Sequence, residues 1–127
     1  MQENYLYEYA VIRIVPRVER EEFLNVGVIL YCPQKGFLDV KYCLDPTRLK
    51  AFSCNLEVTQ LEQYLHTLER ICKGGKNGGP IGGLPIASRF RWLTATRSTI
   101  IQTSRIHPGF CTDPYQTLMR LYTQLVL

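Results

Sequence analysis

Arginines and carboxylates dominate the two short stretches of this chain that could do chemistry. The first stretch contributes the candidate binding residues Arg13, Arg17, Arg20, Glu22 and Asn25. The second contributes Arg89, Arg91 and Arg97, with Phe90 and Trp92 between them. Arginine beside aromatic rings can bind phosphates and stack on bases. The structural alternative is that the acidic stretch pairs with the basic one inside a single chain.

We expect the first stretch to lie against the second in the fold. Arg13 has apolar residues at positions 11 and 15 of the same strand, and a charge there is costly unless it is paired or reaches a ligand. The second stretch has one acid within or after it, Asp113, so its partners should be the acids between residues 19 and 22 or an external anion. Pairing would make the cluster structural, whereas arginines that converge on a concave pocket would favour anion binding.

Patterns typical of catalysis are weak in this sequence. Asp39-Val40-Lys41 has the D-x-K form that many metal-dependent nucleases carry on a strand, where carboxylates and a lysine hold a metal and activate water. Such a short pattern is common by chance. The two histidines, His66 and His107, have no sequence-local nucleophile and acid, so no catalytic triad is predicted. We predict no catalytic residues, and a metal-dependent nuclease stays as an alternative.

Glycine is concentrated in residues 73–83, which hold six of the nine glycines. This composition predicts a flexible loop. The loop has no G-x-G-x-x-G pattern, and Gly75-Lys76 is followed by Asn77 rather than by Ser or Thr. It also does not lie between a strand and the start of a helix, so a phosphate-binding role is not predicted.

Cysteine spacing argues against a zinc site. The five cysteines are Cys32, Cys43, Cys54, Cys72 and Cys111. No C-x-x-C or H-x-x-x-H pair occurs among the cysteines and histidines. We predict free thiols in a reducing compartment, with no disulfide, no metal and no cofactor.

The charge of the chain is unevenly distributed. Residues 1–69 contain seven Lys/Arg and ten Asp/Glu, a balance of −3, whereas residues 70–127 contain eight Lys/Arg and one acid, a balance of +7. The basic half could bind nucleic acid or another anion, or it could complement the acidic half within the fold. No apolar run approaches the roughly 20 residues that span a bilayer, and the N-terminus lacks the pattern of a signal peptide. We expect a cytoplasmic protein without membrane contact.

Turn signals and periodicity predict one domain over residues 1–127, with elements in the order β-β-β-α-α-β-α. The predicted strands are residues 5–16, 25–32, 37–44 and 98–105. The first strand is apolar on both faces near its end and should be central in the sheet. The second and third strands should form an antiparallel hairpin. Gly27 predicts a bulge or a close approach. The fold class is therefore α+β, with a mainly antiparallel sheet of about four strands and helices packed on it.

Capping residues place the helices. Asp45-Pro46 and Asp113-Pro114 should begin two of them, and the capping-box pair Thr59 and Glu62 should begin the long helix that Gly74 ends. The long helix has an apolar stripe made by Leu61, Tyr64, Leu65, Leu68 and Cys72. Residues 84–96 are ambiguous, and His107-Pro108-Gly109 is predicted to be a turn.

Three segments are long enough to compare with known families. They are residues 9–16 (YAVIRIVP), residues 20–30 (REEFLNVGVIL) and residues 89–95 (RFRWLTA), the last followed by Arg97-Ser98-Thr99. Together they resemble the bacterial family called domain of unknown function (DUF) 3037, and the likeness runs from about Tyr7 to the last helix. The resemblance implies no activity, substrate or cofactor, because none is established for the family. Genes of the family often lie beside one for a HipA-like kinase, which implies a protein partner.

These observations predict a non-catalytic accessory or interaction protein that acts with a protein partner, for which a HipA-like kinase is the candidate. A protein that binds nucleic acid or another anion through the basic C-terminal half is the alternative. A metal-dependent nuclease is the third possibility.

Overall fold

The computed structural model describes residues 4–53, 55–95 and 99–127. Within these residues the strands are β1 (Tyr5–Ile14), β2 (Leu24–Cys32), β3 (Phe37–Tyr42), β4 (Ile101–Thr103) and β5 (His107–Cys111). The helices are α1 (Pro46–Phe52), α2 (Val58–Lys73), α3 (Gly79–Gly82), α4 (Ile86–Leu93) and α5 (Pro114–Leu125). Short 3-10 helices cover Val18–Arg20, Pro33–Lys35 and Lys76–Gly78. None of the described helices is both long and apolar enough to cross a membrane.

The strands form one antiparallel sheet with β1 at its centre. β3 pairs with β2, and β2 pairs with β1. The other edge of β1 pairs with β5 along its first half and with β4 along its last residues. The α+β class, the central first strand and the β2–β3 hairpin are therefore confirmed, with five strands where the sequence predicted about four.

Helices cover both faces of the sheet because β1 and β2 are apolar on both sides. Ala10, Ile12 and Ile14 point to a core that they share with α1, α2 and α4, and this side is called the α2 face. Tyr7 and the alternate residues of β2 point to a second core under α5, and this side is called the α5 face. The sheet thus separates two hydrophobic cores, which is the consequence of a strand pattern without a polar face.

β5 is the strand that the sequence did not predict. His107-Pro108-Gly109, expected as a turn, pairs with β1 instead. Pro108 is tolerated because a proline that lacks its N–H can occupy an edge strand. Gly109 is required by packing, since a Cβ there would lie 2.5 Å from the Tyr7 hydroxyl. Of the strand predicted at residues 98–105, the part from residue 99 onward contains β4, and residue 98 lies outside the described residues.

Local capping signals gave most helix boundaries correctly. The Asp45 carboxylate accepts from the Thr47 N–H at 2.9 Å, and Asp113 caps α5 in the same way. Gly74 ends α2 as predicted. The predicted capping box of Thr59 and Glu62 is wrong, because the N-cap of α2 is Glu57, two residues before Thr59, and Glu57 makes no side-chain capping hydrogen bond.

Residues 73–83 contain regular structure, a 3-10 turn followed by α3. The Gly75 N–H donates to the Gly82 carbonyl at 2.9 Å, which closes the segment on itself. Its flexibility stays a prediction. Gly27 confirms the expected irregularity: the β1–β2 register shifts beside it, and a Cβ at Gly27 would lie 2.9 Å from the Lys41 carbonyl oxygen. This shift places Arg13 opposite Asn25.

Candidate functional site

The connection between β1 and β2 forms one wall of a cavity of about 360 Å³, called here the polar pocket. Its lining residues are Pro16, Arg17, Arg20, Glu22, Phe52, Ser53, Asn55, Leu56 and Ile100. Three of the predicted binding residues, Arg17, Arg20 and Glu22, are therefore brought together. Pro16 follows β1, which ends at Ile14, and begins this wall, and the end of α1 supplies the facing side.

Backbone geometry sets the direction of the two arginines. Arg17 precedes a 3-10 turn in an extended conformation, and Arg20 is the last residue of that turn. Glu21 then adopts a left-handed conformation with φ of 56°, the one positive φ among the described non-glycine residues. This turn reverses the chain so that Glu22 returns to the pocket. A left-handed residue with a side chain is costly, and such conformations cluster at functional sites.

Each pocket arginine makes one ion pair with its own loop. The Arg17 Nε lies 3.8 Å from the Glu19 carboxylate, and the Arg20 Nε donates a hydrogen bond to Glu22. All four side chains are more than half exposed, so these pairs add little stability. The Nη groups of Arg17 and Arg20 donate no hydrogen bond to any residue that the structure describes. They are therefore available to an external acceptor.

A second concavity of about 290 Å³, called here the aromatic groove, adjoins the polar pocket. It is lined by Tyr64, Thr67, Leu68, Trp92, Thr99, Ile100 and Ile101. Ile100 lines both cavities and is fixed by its carbonyl, which accepts from the Val15 N–H at 2.7 Å. Tyr64 is 49% exposed and Trp92 is 40% exposed. Two large aromatic residues that line the same groove thus remain partly exposed to solvent.

Arg13 and Asn25 lie on the α5 face, away from the α1 wall of the pocket. The Arg13 guanidinium carbon lies 3.9 Å from the centre of the Phe23 ring, and the Asn25 amide donates to the Leu125 carbonyl at 3.2 Å. The Arg13 Nε and the Asn25 Oδ1 are buried, and neither has a hydrogen-bond partner among the described residues. The predicted need of Arg13 for a partner is thus met in part by an aromatic ring.

Arg89 and Arg91 do not join the polar pocket. Arg89 Nη1 donates to the carbonyls of Ile71 and Cys72 at the end of α2, at 2.9 and 2.8 Å. Arg91 approaches the Glu8 carboxylate at 3.6 Å, and Glu8 lies about 20 Å along β1 from its last residue. The expected convergence of the two stretches is therefore wrong for these arginines. Arg97 lies outside the described residues.

The groups that could support catalysis are engaged or buried. The Asp39 carboxylate accepts from the Val40 N–H at 2.8 Å, and the His66 Nδ1 lies 3.3 Å from the Tyr42 hydroxyl. No group of three or more His, Cys, Asp or Glu side chains in the described part of the chain could hold a metal ion. Burial raises the pKa of the Cys72 thiol from 9.0 to about 12, which disfavours the reactive thiolate.

The aromatic groove is the feature that sequence reasoning missed. Tyr64 and Leu68 belong to the predicted apolar stripe of α2, which suggested a core position for both. Leu61 and Leu65 are buried on that stripe, whereas Tyr64 stays half exposed at its margin. No local signal distinguishes these positions, because exposure depends on which distant segment covers the helix.

Comparison with known proteins gives a family and no nearer relative. The model of the family described as "Protein of unknown function (DUF3037)" matches residues 9–126. No curated protein and no solved structure matches the chain.

Proposed function

Since the chain belongs to the DUF3037 family of proteins of unknown function, we propose a function from the geometry of its own surface. The protein is a non-catalytic interaction protein that binds a protein partner through the aromatic groove. The single observation that supports this proposal is the pair of partly exposed aromatic residues, Tyr64 and Trp92, in a concavity that is otherwise lined by three aliphatic residues and two threonines.

Exposed aromatic rings of this kind favour association with another protein. Covering apolar surface contributes about 25 cal/mol for each Å² removed from water, and Trp and Tyr are enriched among the residues that dominate binding energy. Leu68, Ile100 and Ile101 surround the rings with aliphatic carbon. A partner side chain that enters the groove would therefore be desolvated on several sides.

The polar atoms in the groove support binding rather than catalysis. The Thr67 hydroxyl donates to the Gln63 carbonyl at 3.0 Å, and the Thr99 hydroxyl donates to the Ile101 carbonyl at 2.7 Å. Both hydroxyls are thus used within the chain, and neither makes a hydrogen bond to a described histidine or carboxylate that would activate it as a nucleophile.

The HipA-like kinase suggested by the family resemblance is the first partner to test, and we place the interaction in the bacterial cytoplasm. Calorimetric titration of the kinase with the wild-type chain and with Trp92→Ala measures the contribution of the groove. We expect at least a tenfold loss of affinity for Trp92→Ala. Tyr115→Ala is the matched control, because Tyr115 is 50% exposed on α5, across the sheet.

The kinase titration has a clear contrary result. Equal affinity of the wild-type and Trp92→Ala chains for the kinase would reject the groove as its binding surface. A loss of affinity for Tyr115→Ala with none for Trp92→Ala would move the surface to the α5 face.

Nucleic acid or another anion is the second candidate ligand, supported by the unengaged Nη groups of Arg17 and Arg20. Binding of this kind depends steeply on salt, because it releases counterions from the phosphate backbone. Retention of the chain on single-stranded DNA or RNA that falls at least tenfold between 50 and 200 mM salt, on the order expected for several phosphate contacts, would favour this candidate. Salt-independent behaviour would remove it.

A further inference from the structure

We infer that the polar pocket binds an acidic side chain of the same partner segment whose apolar side chain fills the aromatic groove. The inference rests on the proposed function, and it adds the chemistry of the partner: a short segment that carries Asp or Glu close to an aromatic or aliphatic anchor residue.

Continuity between the two cavities carries the first step. Ile100 lines both, so the pocket and the groove are separated by the width of one side chain. An extended segment advances about 3.3 Å per residue, so side chains one to three residues apart can enter both cavities at once. One partner segment is therefore sufficient, and no second binding event is needed.

The free edges of two arginines carry the second step. The Nε of Arg20 is occupied by Glu22 and that of Arg17 faces Glu19, which leaves the outer Nη1/Nη2 edge of each guanidinium for an external group. This edge is one of the two that bind a carboxylate through parallel hydrogen bonds. Ser53 lies in the same wall and its hydroxyl can add a further donor.

The carboxylates of the loop between β1 and β2 favour an acidic peptide over a nucleic acid as the ligand of the polar pocket. Glu19, Glu21 and Glu22 oppose the two arginines within six residues, so the loop as a whole is not basic. A single carboxylate held between the two guanidinium groups tolerates this arrangement. A phosphate backbone would bring further negative charges against the glutamates, and like charges at close range are unfavourable. The remaining lining, Phe52 and Leu56 among it, is apolar and suits a peptide.

A further arginine adds positive charge beside the groove. Arg70 Nη2 donates to the hydroxyl of Thr67, a groove residue, at 3.3 Å, and Arg70 is otherwise exposed. The groove is thus flanked by Arg70 and by the arginine pair of the pocket. Complementarity to these charges favours an acidic segment over a neutral or basic one.

A peptide library tests the inference even while the partner is unidentified. Random 12-residue peptides, fused to a phage coat protein at their C-termini, are selected on the wild-type chain, on Arg17→Glu/Arg20→Glu and on Trp92→Ala. Lys41→Glu/Arg120→Glu is the control with the same change of charge, because both residues are exposed and make no ion pair with a described residue. Circular dichroism of every variant checks that it is folded.

We expect the wild-type and control chains to select Asp or Glu within three residues of Trp, Phe, Leu or Ile. Arg17→Glu/Arg20→Glu should keep the apolar preference and lose the acidic one. For a selected peptide, replacement of the acid by its amide should weaken binding at least tenfold on the wild-type chain and less than twofold on the double variant.

Each contrary result identifies the step that fails. Selection of an apolar anchor with no acidic preference would overturn the inference and leave the proposed function intact. Selection that is unchanged in Trp92→Ala would overturn the proposed function itself. Full competition by single-stranded DNA at equal concentration would replace the acidic side chain by a phosphate and would also overturn the inference.

Discussion

Removal of the Arg89 side chain should destabilise the fold strongly, although Arg89 was predicted to bind a ligand. The last carbonyls of any helix lack partners within the helix. Arg89, on α4, donates from Nη1 to two of these carbonyls at the end of α2, those of Ile71 and Cys72. Its Nε donates to the Leu84 carbonyl at 3.1 Å. Its positive charge also lies at the negative end of the α2 dipole.

The expected loss for Arg89→Ala is about 3 kcal/mol in the free energy of unfolding. Hydrogen bonds from a charged donor contribute about 1.5–3 kcal/mol each, and the lower figure applies here because the side chain is partly exposed. Three such bonds at about 1.5 kcal/mol each would contribute about 4.5 kcal/mol, and hydrogen bonds from water to the freed carbonyls reduce the expected loss to about 3 kcal/mol. Urea unfolding followed by the fluorescence of Trp92 measures it. Arg91→Ala, two residues away, should cost less than about 0.5 kcal/mol, because the Arg91 side chain that pairs with Glu8 is largely exposed.

A double-mutant cycle with Gly74 tests the same contact independently. A Cβ at Gly74 would lie 2.7 Å from Arg89 Nη1, so Gly74→Ala must displace the guanidinium. Gly74 has φ of 77° and ψ of −179°, a conformation that is essentially restricted to glycine, so alanine there adds about 1–3 kcal/mol of backbone strain that does not depend on Arg89. Gly74→Ala should therefore cost less in the Arg89→Ala background than in the wild type. Additive effects, or a loss below about 1 kcal/mol for Arg89→Ala, would refute this role of Arg89.

Three further changes should alter stability in defined directions. Burial raises the pKa of Cys72 to about 12, so between about pH 9 and pH 12 the folded chain keeps a proton that the unfolded chain loses. The free energy of unfolding should therefore be constant below about pH 9 and should fall from there to pH 12. Cys72→Ala should make this fall shallower, as measured by urea unfolding at each pH. Glu21→Val should be less stable than Glu21→Gly by more than about 1 kcal/mol, since a β-branched residue fits φ of 56° poorly; equal melting temperatures would contradict the assigned backbone. Gly27→Ala should cost about 1–3 kcal/mol by forcing β2 and β3 apart, and an unchanged unfolding midpoint would contradict that contact.

Features fixed by neighbouring residues could be predicted from the sequence. Asp45 and Asp113 cap their helices through N–H groups two or three residues away, so the local pattern contains all the partners. Gly27 indicated an irregularity through its residue type alone, although the groups that approach it belong to the neighbouring strands. The even residues of β1 face one core and Tyr7 faces the other, as a strand apolar on both sides requires.

Features that depend on distant segments could not be predicted. β5 contains Pro108 and Gly109, which indicate a turn locally, and only its pairing with β1 makes it a strand. The local sequence of Arg89 indicates an exposed cation, because the carbonyls that it contacts at the end of α2 are distant in the sequence. The aromatic groove forms because Ile100 lies close to α2 and α4, and no spacing in the sequence predicts that proximity. Arg17 and Arg20 were recognised as candidates because their spacing is local.

Trp92 offers the most direct measurement of the central claim, because it is the single tryptophan of the chain and lies in the groove. Its emission can be recorded as a tryptophan-free peptide selected on the wild-type chain is added. Binding in the groove should shift the emission to shorter wavelength and reduce quenching by acrylamide, in proportion to occupancy, as the 40% of the residue now exposed is covered. Saturable binding that leaves both the emission maximum and the quenching unchanged would contradict the claim.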